Sequence, residues 1–132
     1  MFNGKYILCI DDDEDDYQLL AESFNNINAQ VSLRFEKSGD EALDFLSMAV
    51  QKNELPGLIV LDLNMPGLDG MQTLVRVKTI PSLSKTPTLI LSTSITGVDI
   101  PEIEKNGASI FQKPNTVKEY DEIARTIVVM MA

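Results

Sequence analysis

Reactive side chains stand directly after four apolar runs in this 132-residue chain. Asp11 and Asp12 follow Tyr6–Ile10, Asp62 follows Leu58–Leu61, Ser92 and Thr93 follow Leu89–Leu91, and Lys113 with Pro114 comes just after Ser109–Phe111. Three carboxylates converging on one rim repel each other at neutral pH unless they are protonated or bridged by a cation. A hard ion that seeks oxygen, keeps several waters and takes few carboxylates is typically Mg²⁺. A lysine ammonium is a compact point charge and a serine hydroxyl a small donor, so both suit phosphoryl oxygens better than a sugar or an apolar ligand. The sequence contains no histidine. That removes Ser-His-Asp and Cys-His triads, histidine-based zinc sites and self-phosphorylation on histidine.

The elements that must position these residues can be read from hydrophobic spacing. Five short apolar runs, Tyr6–Ile10, Val31–Phe35, Leu58–Leu61, Leu89–Leu91 and Ser109–Phe111, are separated by longer segments of helical spacing. Such alternation marks βαβ units. Tyr17, Leu20, Phe24 and Ile27 give the first helix one apolar face, ending near Asn25–Asn28. Val31, Leu33 and Phe35 alternate with Ser32 and Arg34, which predicts a half-exposed strand at a sheet edge. Ser38 with Glu41 forms a capping box ahead of Ala42, Phe45, Leu46, Ala49 and Val50. Leu58–Gly70 (LIVLDLNMPGLDG) reads as a doubly buried strand, then Asp62, then a turn closed by Pro66, Gly67 and Gly70. Met71, Leu74, Val75 and Lys78 carry a third helix as far as Pro81. Gly97 and Pro101 limit the fourth helix to a short one, capped by Asp99 with Glu102, and Val117, Tyr120, Ile123, Ala124, Ile127, Val128 and Met131 define the fifth.

Crossovers of this length make parallel strands with helices on both faces, so the expected fold is a doubly wound, five-stranded α/β sheet in the flavodoxin-like order 2-1-3-4-5. Its ligand site lies beyond the carboxyl ends of the strands, and strands 1, 3, 4 and 5 all end in reactive residues. The chain is expected to form a single domain over residues 1–132, with no second domain. A formal charge of −9, from 11 basic and 20 acidic residues, argues against nucleic acid as a partner. No segment approaches the roughly 18 to 20 apolar residues of a membrane span, and the start is not a secretory signal, so a cytoplasmic location is expected. Cys9 sits inside the first apolar run and reads as a small core residue.

With these motifs in this order, the chain resembles the receiver domains of two-component response regulators, especially the single-domain chemotaxis (CheY-like) and phytochrome-associated types. The resemblance covers essentially the whole chain and rests on Asp11-Asp12, the block Asp62–Gly70, Ser92-Thr93 and Lys113-Pro114. It implies a stand-alone receiver without an output domain, a phosphoacceptor switch and not an enzyme of turnover. Asp62 would accept a phosphoryl group from the phosphohistidine of a sensor histidine kinase, from a phosphotransfer protein or from a small acyl phosphate. Mg²⁺ would be held by Asp12 directly, Asp11 largely through water, Asp62, and the backbone carbonyl of Asn64. Lys113 would contact the phosphoryl group and Ser92 would turn toward it, passing the change to a downstream protein or passing the group onward. Asp13 to Asp16 read as a solvated helix N-terminus. Ser92 stands where the family usually has threonine, Ile110 where it often has an aromatic switch residue, and Pro101 alters the fourth helix. Phe111 is expected on the opposite strand face from Ile110.

Other readings fit the residues less well. Asp11, Asp13, Asp15 and Glu22 match the spacing of an EF-hand loop, but Asp16 occupies the position that needs glycine. A haloacid dehalogenase-type phosphatase needs a second Asp two residues after the nucleophile, where this chain has Asn64. A flavodoxin-like phosphate cofactor is disfavoured by three clustered acids, and a degenerate receiver would bind partners without being phosphorylated.

Overall fold

The computed structural model describes residues 5–65, 69–95, 97 and 99–131. The elements alternate as β1 (Tyr6–Ile10), α1 (Glu14–Asn26), β2 (Ser32–Glu36), α2 (Gly39–Lys52), β3 (Leu58–Leu61), α3 (Gly70–Thr79), β4 (Thr88–Ser92), α4 (Asp99–Lys105), β5 (Ser109–Gln112) and α5 (Val117–Met131), with a 3₁₀ turn at Pro81–Leu83. All strand pairs are parallel and the order is β2-β1-β3-β4-β5, as expected.

Successive strand residues point to opposite sheet faces, and this divides the core in two. Ile7, Cys9, Leu58, Val60, Leu89 and Leu91 pack with Leu20 and Phe24 of α1 and Ile123, Ala124 and Ile127 of α5. Leu8, Ile10, Ile59, Leu61 and Ile90 pack with Leu46 of α2, Leu74 and Val77 of α3 and Ile103 of α4. Every residue of β3 is buried. Burying one such aliphatic side chain contributes about 1.5–3 kcal/mol, so the central strands are firmly held. Ile110 and Phe111 fall in different halves of this core, as the strand period requires.

Register places the site. Ile10 pairs with Leu61, and Leu61 with Ile90, so Asp11 and Asp62 emerge side by side at one sheet end. Ser92 pairs with Gln112, which brings Lys113 out beside it. The Lys113 N–H donates to Ser92 O at 2.9 Å and the Asp62 N–H to Ile10 O at 3.0 Å, so the site residues are tied to the strands by their own backbone.

Several expectations need correction. β2 starts at Ser32, one residue after Val31, although Val31 still packs against the core. The buried face of α3 is Gly70, Thr73, Leu74 and Val77, of which the helical spacing names only Leu74. Lys78 is instead half-buried at the margin, where burial lowers its pKa and its Nζ donates to Thr86 O at 2.7 Å. Gly70 does not close a turn but opens α3, behind an Asp69 cap that accepts from Gln72 N–H at 2.8 Å. Asp99 is the first residue of α4 as described, and the helix is short, as Gly97 and Pro101 imply. The expected turn at Pro66-Gly67 lies outside the described residues. Ser38 does cap α2, accepting from Glu41 N–H at 3.1 Å.

Candidate functional site

Asp62 leaves β3 at the centre of the sheet and is only 5% exposed. Its two carboxylate oxygens are held from opposite sides. Oδ1 accepts from Ser92 Oγ at 3.0 Å and from Asn64 N–H at 3.0 Å, while Oδ2 faces Lys113 Nζ at 3.2 Å. Ser92 is fully buried, and its hydroxyl in turn accepts from Asn64 Nδ2 at 2.6 Å. Asn64 Nδ2 also donates to Ser94 O at 3.2 Å, which ties the segment after β3 to the one after β4.

Gly70 completes this side from below. A Cβ at Gly70 would lie 2.3 Å from both Asp62 O and Leu63 Cα, and those backbone atoms cannot yield as a flexible side chain could. The start of α3 therefore packs directly on the backbone that carries Asp62, and the Gly70 N–H donates to Leu63 O at 3.1 Å.

The other side is rich in charge. Carboxylate oxygens of Asp11, Asp12 and Asp62 lie within 4.8 Å of one another, with Asp62 buried, Asp11 partly buried and Asp12 exposed. This all-oxygen set fits a hard divalent cation, and its closeness is otherwise unfavourable. Burial pushes the Asp11 pKa up to about 6, against the opposing pull of the Asp13 N–H and of Lys113, and the Asp62 charge adds a smaller push upward. Lys113 Nζ lies 3.0 Å from Asp11 Oδ2 and 2.5 Å from Asp16 Oδ2, with only 7% of its side chain exposed. Burial by itself would favour the neutral amine. The hydrogen bonds to Asp16 and Asp11 outweigh it and leave the Lys113 pKa above its ordinary value.

A family model described as the response regulator receiver domain matches residues 7–125. The chain belongs to that family. Response regulator Rcp1 of Synechocystis sp. is 33% identical over 92 residues, which are 68% of this chain. The chain spans 63% of the length of that relative. A crystal structure of the phosphorylated cyanobacterial phytochrome response regulator RcpA superposes with a TM-score of 0.82 at 28% identity, covering 93% of this chain and 90% of that one. The Mn²⁺-bound form of Rcp1 gives a TM-score of 0.79 at 27% identity, covering 93% of this chain and 91% of that one. Receiver domains act as phosphoacceptor switches and not as turnover enzymes, and the acidic cluster of this receiver is consistent with a phosphoacceptor site. Its family works with histidine kinases and phosphotransfer proteins. Among the described residues no helix is long and apolar enough to cross a membrane.

The receiver brings Asp11, Asp12, Asp62, Asn64, Ser92 and Lys113 to one end of the sheet, where the sequence placed them. Thr93, next to Ser92, is exposed. Asp13 behaves as the expected helix start, capping α1 by accepting from Asp15 N–H at 2.9 Å. Asp16 does not. It was expected in solvent, yet its side chain is 25% exposed and bound to Lys113. The signal for it lay in helical spacing, because Asp16, Leu20 and Phe24 are four residues apart on one stripe and the last two are buried. The Asn64 side chain was also missed, since only its backbone carbonyl had a reading; a polar residue two positions beyond a buried strand end can reach the neighbouring strand.

Proposed function

We propose that this receiver takes a phosphoryl group on Asp62 from a phosphohistidine of a sensor histidine kinase or phosphotransfer protein, or from a small acyl phosphate, with Mg²⁺ as cofactor. The observation that carries the reading is the convergence on the buried Asp62 carboxylate of Ser92 and Asn64 on one oxygen and Lys113 on the other. An Asp62 oxygen forms the new bond to phosphorus while the bond from phosphorus to the imidazole nitrogen breaks, its electron pair leaving with the imidazole. Phosphoryl transfer passes through a loose transition state whose charge spreads over the equatorial oxygens, so catalysis is positioning plus positive charge. Lys113 supplies a full charge at 3.2 Å from Asp62 Oδ2. Asp11, Asp12, Asp62 and the Asn64 backbone carbonyl would hold Mg²⁺, which when bound adds positive charge toward the phosphoryl oxygens.

The switch follows from the new charge. A phosphoryl group adds about −1.5 to −2 charges and three acceptor oxygens next to a hydroxyl already spent on Asp62 and Asn64. Ser92 turns its donor toward the phosphoryl oxygens and leaves Asn64, which loosens the tie to Ser94 and shifts the segment after β4. That shift is what a downstream protein reads, unless the group is passed onward. Incubation of the full chain with Mg²⁺ and a small acyl phosphate should add one phosphoryl group by intact mass, and Asp62→Asn should abolish it. A wild type that stays unlabelled under these conditions contradicts the reading.

A further inference from the structure

Asp16 makes the shortest contact to Lys113, yet it lies outside the set of carboxylates that could share a cation. Its Oδ2 is 2.5 Å from Lys113 Nζ, against 3.0 Å for Asp11 Oδ2 and 3.2 Å for Asp62 Oδ2. An ammonium has three N–H donors and no acceptor, so these three carboxylates saturate it. The oxygens that lie within 4.8 Å of one another belong to Asp11, Asp12 and Asp62, and Asp16 is not in that set among the described residues.

A divalent cation therefore competes for two of the three carboxylates that hold the lysine. It also repels the ammonium, because a dication and an ammonium drawn to the same carboxylates are like charges brought close together. A lysine stem has several rotatable bonds and regains rotamer freedom by swinging away. Of the three carboxylates, Asp16 is the one that stays available, since it lies outside the cation set among the described residues. Its carboxylate is carried by the first turn of α1, on the stripe of Leu20 and Phe24, which are 3% and 2% exposed and fix the helix against the sheet. At the other end, the Lys113 backbone is bound to Ser92 O. The pair thus clamps the first turn of α1 to the end of β5.

We infer that Asp16 is a positioning residue: it retains the Lys113 ammonium beside Asp62 when a divalent cation occupies Asp11, Asp12 and Asp62, so that the lysine is in place for the arriving phosphoryl oxygens. The phosphoryl part rests on the proposed function, whereas the retention of the lysine does not.

Nitrogen-15 NMR of the Lys113 side chain, in the full chain with and without Mg²⁺ alone, reads the retention directly. With saturating Mg²⁺ the Lys113 signal stays ordered in the wild type and in Asp16→Glu, and becomes mobile in Asp16→Asn. An ordered Lys113 in Mg²⁺-loaded Asp16→Asn, or a mobile one in the Mg²⁺-loaded wild type, overturns the inference. In a second arm, labelling by a small acyl phosphate at saturating Mg²⁺ slows about 10-fold in Asp16→Asn and recovers in Asp16→Glu, while the same change has no effect in a Lys113→Gln background. Equal slowing in both backgrounds overturns action through Lys113. A wild type that holds the lysine but takes no phosphoryl group overturns the phosphoacceptor reading and leaves the clamp standing.

Discussion

The two sides of the site differ in what holds them. On the side of β3, β4 and α3, Asp62 and Ser92 are buried, each polar atom is spent on a neighbour, and Gly70 leaves no room for a Cβ. On the side of α1, Asp11 and Asp12 crowd against Asp62, Asp16 meets them only through Lys113, and Asp12 is exposed. The first side is set by packing and fixes geometry. The second is set by electrostatics, in a cluster of carboxylates that could hold a divalent cation. A receiver needs both, since an acceptor that wandered would lose alignment, and a cation site that was fully satisfied would have no affinity for a cation.

Changes on the two sides should therefore fail in different ways. The largest effect is expected at Gly70. Gly70→Ala drives a Cβ into the Asp62 and Leu63 backbone at 2.3 Å, and overpacking of this kind should cost about 3 kcal/mol in chemical denaturation, the upper end of its usual range. Next is Asp12→Ala, which should leave stability nearly unchanged but weaken Mg²⁺ binding by at least about 10-fold in a titration, the loss typical of even an outer partner of a metal ligand. Asp13→Ala is its control: it removes the cap on α1, costs about 1 kcal/mol of stability, and leaves Mg²⁺ affinity nearly unchanged. Equal affinity losses for Asp12→Ala and Asp13→Ala would erase the distinction between ligand and cap.

The smallest effect is expected from pH. Burial holds Asp11 at about 6, above its ordinary value of 3.8. A raised carboxylate contributes stability that is fully present below the ordinary value and is lost as pH rises through about 6. A cation requires the ionised form, so it restores stability only on the alkaline side. The rise in Tm on adding Mg²⁺ should therefore be larger at pH 7 than at pH 5, and an equal rise at both would remove Asp11 from the cation set.

How much of this was legible in the sequence follows the same division. Geometry set by packing left clear marks: the apolar runs gave all five strands, the polar alternation of Val31–Phe35 gave the sheet edge, and Ser38 with Glu41 gave a cap. Because register follows from those strands, the residues after them could be named before any coordinates. Geometry set by charge left weaker marks. Within Asp11–Asp16 all six residues are acidic, so composition could not say which faces the sheet, and Asp16 emerged only from its place on the α1 stripe. The face of α3 was similarly hard to read, since spacing names Met71, Leu74, Val75 and Lys78 while Thr73, Leu74 and Val77 are the residues that packing buries. The side chain of Asn64 was illegible because its partners, Ser92 and the Ser94 carbonyl, lie about thirty residues away in sequence.

The central claim is that one buried carboxylate accepts the phosphoryl group and the acids beside it serve the cation. Mapping the labelled residue after reaction with a small acyl phosphate, with Mg²⁺ and again with a chelator, tests it most directly. The expected result is a single phosphoryl group on Asp62 with Mg²⁺ and almost none with the chelator. Label on Asp11, Asp12 or Ser92, or equal label on Asp62 after chelation, would contradict it.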